Sequence, residues 1–399
     1  MLVNYAKGVT SHDKKWTKHW KNGHHYSGQA MTKIPFIDFG RMYDPLREQL
    51  HKAALEVIDS GRYIGGEQVK GFEREMASWL GVEQVCGVSC ATMGLFALLK
   101  SMGIGPGDEV ITTVHTAIAT AESVSHTGAQ VIFCDIKEGY FYLDPHEVER
   151  KITPRTKAII PVHLYGQSAD MDGILSIAKR HSIAVIEDCA QAQGAQYRGR
   201  MAGTLGDAAV FSFFPSKTLG GFGDGGAVTA RDPALMKRVR LFSNHGRESK
   251  YLHEFEGINS RLDAIQAALL RVLLPHLDEW NEQRRIAAKW YDEGLSGLKE
   301  IAVPRALPDT LPVYHVYVCL TPDRDALIKH LHENGIETGI HYPYSLNVLP
   351  AYAHLGQGAG SYPRAEYACA HMLSLPLHPA IAQAEVQQVC ETIKKFFGR

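Results

Sequence analysis

The sequence has almost no net charge. Its 42 lysines and arginines stand against 43 aspartates and glutamates, a formal charge of −1 over 399 residues. That balance excludes the broad positive field a nucleic-acid or anionic-membrane surface needs. No apolar run approaches the ~20 residues required to cross a bilayer, so no membrane span is expected. Nor is there a disulfide framework. The seven cysteines are odd in number and scattered, most of them in apolar surroundings such as Val131-Ile132-Phe133-Cys134. They read as buried thiols in a reducing cytoplasm. Cys86 and Cys90 have no companion pair at zinc spacing, so no metal site is expected. The glycine-rich stretch Gly220 to Gly226 is not a P-loop, because its lysine precedes the glycines. Residues 1–33 are nearly without acids: Asp13 alone faces Lys7, Lys14, Lys15, Lys18, Lys21 and Lys33. They carry no apolar signal region and read as a basic extension.

What is present is an alternation of short apolar runs with helical patterns. Strands are expected at Val85–Val88, Val110–Val114, Val131–Asp135, Ala158–Val162, Ala184–Ile186 and Ala208–Phe214. Helical stretches separate most of them, near residues 116–127, 145–152 and 171–181. This βαβ rhythm implies an α/β fold with a mostly parallel central sheet covered on both faces. After the helix expected to run through about Leu298, the pattern changes to a smaller α+β region. The expected division is 1–33, a large domain over 34–290 and a small one over 291–399. Ser260 is expected to cap a long helix beginning at Arg261, with Leu262, Ile265, Leu269 and Val272 as its apolar stripe.

In open parallel sheets, sites form beyond the carboxyl ends of the strands. Ser89 to Thr92, His115, His163, Asp188 and Lys217 all fall at such ends. A lone lysine beside a loop is ordinarily a solvated surface group. Here it ends a rigid apolar strand, about thirty residues after an aspartate that ends another. A buried lysine loses its proton readily and can attack a carbonyl. An aspartate facing it could keep a pyridine nitrogen protonated. The pair suggests a Schiff-base site for pyridoxal phosphate (PLP). The turn Ser89-Cys90-Ala91-Thr92 runs from a strand into a helix, where free N–H groups and the helix dipole favour a phosphate. A plain N-cap by Ser89 or Thr92 is the alternative there.

The stretch from Ile186 to Val228 resembles the active-site block of the DegT/DnrJ/EryC1/StrS sugar aminotransferases. GIGPGDEVIT at Gly103–Thr112, SNHGR at Ser243–Arg247, NSRLDAIQAALL at Asn259–Leu270 and GIHYP at Gly339–Pro343 extend the resemblance, which runs from about Ile34 to the C-terminus. It implies a fold type I PLP-dependent transferase, acting in the cytoplasm as a homodimer with shared active sites. The reaction implied moves an amino group from an amino acid, L-glutamate by family habit, to a keto-sugar nucleotide.

The resemblance also distributes roles. Lys217 carries the cofactor and Asp188 holds its pyridinium. Gln191 bonds the ring hydroxyl, and Ser212 joins Ala91 and Thr92 at the phosphate. His115 is the ring expected over the cofactor. Asn259 reaches the partner's phosphate, while His341, Tyr342 and Arg247 contact the sugar nucleotide. The family usually has a glycine where this chain has Ala91, so the phosphate fit is expected to be tighter. His163 is left between pocket lining and a hydrogen-bonded core histidine. Two rival readings are a PLP-dependent sugar dehydratase, in which a histidine would replace Lys217, and a non-catalytic regulatory member. The keto carbon (3 or 4), the base (UDP or dTDP) and the pathway are not legible.

Overall fold

The computed structural model describes residues 33–303 and 305–399. The basic extension expected over 1–33 lies, except for its last residue, outside them. Parallel strands β1 (Cys86–Val88), β2 (Glu109–Thr113), β3 (Gln130–Cys134), β4 (Thr156–Ile160), β5 (Ala184–Asp188) and β6 (Ala208–Ser212) join β7 (Gly226–Ala230) in one seven-stranded sheet. The order is β1-β7-β6-β5-β4-β2-β3, and β7 alone runs antiparallel. The strands are nearly continuous apolar runs because both faces are covered. All five residues of β2 and of β6 are buried.

Helices Ala91–Ser101, Ile118–Ser125 and Pro233–Phe242 lie over one face, where Leu95, Leu98, Val124 and Val239 meet Val110, Val210 and Val228. On the other, Phe72, Met76, Leu270 and Leu273 pack against Phe211 and Phe213 toward β6, and Ile174 and Ile177 against Ile159 and Val185 toward β3. A last layer holds β8 (Tyr317–Leu320) paired antiparallel with β9 (Met372–Leu375), and the helices Arg324–Glu333 and Gln383–Phe396. The boundary expected at residue 290 falls inside one helix, Leu277–Gly294. Its residues Ala287, Ala288 and Tyr291 belong to the C-terminal core, and so does Ile34 from the start of the described chain.

One expected helix start moves. The cap is Asp263, whose carboxylate accepts from Gln266 N at 2.9 Å, and the helix is Ala264–Leu273. Ser260 instead turns its hydroxyl to Ser89, with 2.9 Å between the two oxygens. An aspartate three residues further on competed successfully for the free N–H groups of the first turn. The buried face also shifts, to Ala264, Ala267, Ala268, Leu270 and Leu273 with Leu269. Ile265 and Val272 are only partly buried.

Candidate active site

The carboxyl ends of the parallel strands face one cleft, as the βαβ reading requires. β6 ends at Ser212, and the chain turns through Phe213–Ser216 to Lys217, whose N–H donates to Phe214 O at 2.8 Å. The return loop is held tightly. A Cβ on Gly220 would stand 2.1 Å from Pro215 O, so only glycine fits there. Gln266 closes the outside, accepting from Phe222 N at 2.9 Å.

Part of the Lys217 side chain meets solvent, but its amine is enclosed. Desolvation draws its pKa down from 10.5 to about 8, and Asp188 opposes that shift. No hydrogen bond or ion pair to Nζ occurs among the described residues. Asp188 is 7 % exposed at the end of β5. Its Oδ2 accepts from Thr120 Oγ1 at 2.8 Å and its Oδ1 from Ala190 N at 3.0 Å.

The corner expected to take a phosphate is built by register. Gly226 pairs with Val88 on one side and Ser212 on the other. A Cβ on Gly226 would lie 2.7 Å from Ala91 N. The missing side chain therefore lets Ser212 and the start of the Ala91–Ser101 helix close on the same corner. That helix has no side-chain cap. The N–H groups of Ala91 and Thr92 have no acceptor among the described residues, as the first turn of a helix dictates. Ser212 Oγ accepts weakly from Phe214 N at 3.3 Å. An unpartnered amine of lowered pKa, a buried carboxylate within its electrostatic reach and a corner of free N–H donors fit pyridoxal phosphate. No residue in the set conflicts with it.

The His341-Tyr342 segment comes to this same cleft. Gln191 Nε2 donates to Tyr342 Oη at 3.1 Å, and Gln191 Oε1 accepts from Tyr165 N at 2.7 Å. Burial and the nearby Asp188 push the Tyr342 phenol up to about 12. His341 Nδ1 lies 2.9 Å from Ser374 Oγ, and its ring stacks on Phe36. Burial, with a smaller contribution from Lys217, lowers its pKa to about 4. Tyr165 Oη donates to His341 O. Arg247 is half-buried with Nε unpartnered. Asn259 is exposed and its backbone bridges to Asn244. Neither touches Lys217 or Asp188.

Two histidines do not line the cleft. His115, expected over the cofactor, is fully buried. Its Nε2 lies 2.8 Å from Tyr165 Oη and its Nδ1 3.3 Å from Cys369 Sγ, with Phe141 against the ring. Burial lowers its pKa to about 4. Its place is behind Tyr165, and its ring has no free face to offer a cofactor. His163 is the core histidine of the two readings left open. Its Nδ1 accepts from Ala169 N at 3.0 Å, so its Nε2 carries the proton and donates to Glu187 at 2.9 Å. Glu187 also accepts from the N–H groups of Gly203, Leu205 and Gly206. Cys189 completes a His–Glu–Cys group, but those bonds occupy its carboxylate and imidazole, and burial holds the thiol protonated.

Sequence reasoning missed Thr120 and Tyr165. Thr120 carries no motif; only its position in the first turn of the Ile118–Ser125 helix brings it to Asp188. Tyr165 adopts φ 60°, uncommon for a non-glycine residue.

Comparisons with known proteins identify the family. Residues 45–394 match the model of the DegT/DnrJ/EryC1/StrS aminotransferase family. The dTDP-3-amino-3,4,6-trideoxy-alpha-D-glucose transaminase of Streptomyces venezuelae is 45 % identical over 94 % of this chain and 99 % of its own. The UDP-N-acetyl-3-dehydro-alpha-D-glucosamine 3-aminotransferase of Acidithiobacillus ferrooxidans is 41 % identical over 91 % of this chain and 98 % of its own. Among solved structures, S. venezuelae DesV in complex with a ketimine intermediate superposes with a TM-score of 0.90 at 45 % identity, over 92 % of this chain and 99 % of that one.

Proposed function

The chain belongs to the DegT/DnrJ/EryC1/StrS aminotransferase family, and on that footing we propose how its residues divide the work. It is a PLP-dependent sugar-nucleotide aminotransferase of amino-sugar biosynthesis. Bound in the cleft, the cofactor supplies the electron sink that lets a proton leave the α-carbon of the amino donor. Lys217 would be the residue that holds the cofactor. Its Nζ, once released, would take the α-proton of the donor and pass it to the cofactor, and in the reverse half-reaction would carry a proton from the cofactor to the sugar carbon. Asp188 would keep the pyridine nitrogen protonated, and Thr120 would orient the carboxylate for this. Ser212 and the N–H groups of Ala91 and Thr92 take the phosphate. Gln191 and Tyr342 face the ring, and His341 and Arg247 face the sugar nucleotide. L-Glutamate is the proposed donor. The proposed accepting carbon is C3, the position named in both relatives above.

The single observation that carries this reading is the Lys217 amine, unpartnered and of lowered pKa beside Asp188. A dehydratase with histidine at this position does not fit it. We further propose a cytoplasmic homodimer in which Asn259 reaches the partner's phosphate. Exposed Leu55, Ile58, Tyr63 and Ile64 support a dimer face there, since Tyr63 and Ile64 lie against Asp263 and Ala264. No helix among the described residues is long and apolar enough to cross a membrane.

The test is the visible absorption of the purified protein before and after L-glutamate, followed by 3-keto and 4-keto sugar nucleotides. The expected result is a cofactor band that glutamate bleaches and a 3-keto sugar restores. Restoration by 4-keto sugars alone would move the accepting carbon. A band indifferent to every amino donor would sink the transaminase assignment.

A further inference from the structure

Arg284, His315 and His378 form a group of basic side chains with no ion-paired acid among the described residues. Arg284, on the helix Leu277–Gly294, is 2 % exposed. Among the described residues no carboxylate comes within ion-pair distance of it. Its only hydrogen bonds among the described residues are two long ones from Nη1, to His315 O and Leu377 O, both 3.4 Å. Its Nε has no partner. His315 and His378 stand next to those two carbonyls, at 5 % and 1 % exposure, and the Nδ1 of each is also without a partner. The acids nearest His378, Asp38 and Glu385, are held by Arg41, at 3.4 and 2.8 Å.

Burying a guanidinium without a counter-charge is costly, and native structures do so seldom. Desolvation lowers the pKa of Arg284 to about 10 and leaves both histidines neutral. Arg284 therefore keeps its charge near neutrality. Hydrogen bonds tie the helix of Arg284 to the site, and the Lys217 amine acts electrostatically on His315. Asn281, one turn before Arg284, donates to Gln193 O at 2.9 Å, and Gln193 in turn donates to Ser212 O at 2.5 Å.

We infer that Arg284, with His315 and His378 beside it, is the receptor for a carboxylate of the amino donor. The inference rests on the aminotransferase reading above. A carboxylate supplies the missing counter-charge and can accept from a guanidinium and from imidazole N–H groups together. Arg284 is thus a binding residue for the first substrate, and the second substrate should not sense it.

The experiment titrates holoenzyme with L-glutamate and follows cofactor absorbance. Arg284→Gln should raise the half-saturating glutamate concentration about 10- to 100-fold. Its cofactor content and the KM of the keto-sugar acceptor should stay unchanged, and glutarate should inhibit it correspondingly less well. Arg284→Lys should recover most of the loss. If Arg284→Gln does not fold, His378→Gln takes its place, with a rise of about 3- to 10-fold.

Wild-type holoenzyme gives an arm independent of folding. L-Norvaline keeps only the α-carboxylate, 4-aminobutyrate only the distal one, and butylamine neither. Preference for norvaline over butylamine would place the α-carboxylate at Arg284, and preference for 4-aminobutyrate the distal one. Equal responses to all three, or a folded Arg284→Gln protein with wild-type glutamate and glutarate affinity, would overturn the inference. Wild type silent to every donor would instead overturn the aminotransferase reading.

Discussion

Glu187 and Asp188 are consecutive carboxylates on one strand, and they have opposite surroundings. The pleat of β5 sends them to opposite faces of the sheet. Glu187 enters a closed set of donors: three backbone N–H groups and the Nε2–H of His163. Those bonds outweigh its burial and hold its pKa below the usual carboxylate value. Asp188 has two donors and remains within electrostatic reach of an unpaired lysine. The first carboxylate is fully satisfied by the fold and can hold the loop Gly203–Gly206 in place. The second keeps interaction capacity unused, which is what a site needs. Complete satisfaction marks structure, and incomplete satisfaction marks function.

Substitutions can break that comparison at either end. The largest effect on turnover should come from Lys217→Ala: a fall of at least about 10³-fold. The melting temperature should stay near wild type. Transamination by Lys217→Ala at the wild-type rate would remove the lysine from the mechanism.

The two carboxylates should then separate by observable. Asp188→Asn should keep the cofactor but lose about 10²-fold or more in kcat, with little change in a urea midpoint. Glu187→Gln should do the reverse. It should cost about 2–4 kcal/mol in denaturant unfolding and leave activity per folded molecule close to wild type. If Glu187→Gln lost activity without losing stability, the division of labour between the faces would be wrong.

pH sharpens the same contrast. Covalent uptake of cofactor by apoprotein needs the unprotonated Lys217 amine. Its rate should rise with pH through a midpoint near 8, well below that of an ordinary lysine. His115 works in the opposite sense. Its pKa is about 4 folded and 6.5 unfolded, so between those values only the unfolded chain binds the proton. Stability should fall as pH drops through that window, by up to about 1.4 kcal/mol per pH unit from this residue, and level off below it. Unfolding free energies measured from pH 7 to 4 in wild type and His115→Gln would isolate that contribution.

The smallest effect belongs to Thr120→Val. Losing one hydrogen bond to Asp188 should lower kcat about fivefold, and Thr120→Ser should restore it. An unchanged rate in Thr120→Val would leave the threonine a packing residue only.

Much of this was legible in order along the chain. The βαβ rhythm announced a parallel sheet, since fully covered strands must be apolar throughout. The strand ends named Lys217, Asp188 and the Ala91–Thr92 turn, because such sheets open their sites there. The helix start at Ala264 was misread because Ser260 and Asp263 can both cap, and only packing chose between them. His115 was misread for a related reason: a histidine after a strand looks the same in sequence whether it faces the cleft or Tyr165.

The sequence by itself determined the fold class, the lysine–aspartate pair and the family. Those rest on periodicity and residue type, which are local. Only the tertiary structure decided which polar groups are already satisfied. Tyr165 holding the His341 carbonyl and Thr120 on Asp188 join residues far apart in the chain, and Arg284 is left without an acid among the described residues. Their partners are set by how the layers pack, and no spacing records that.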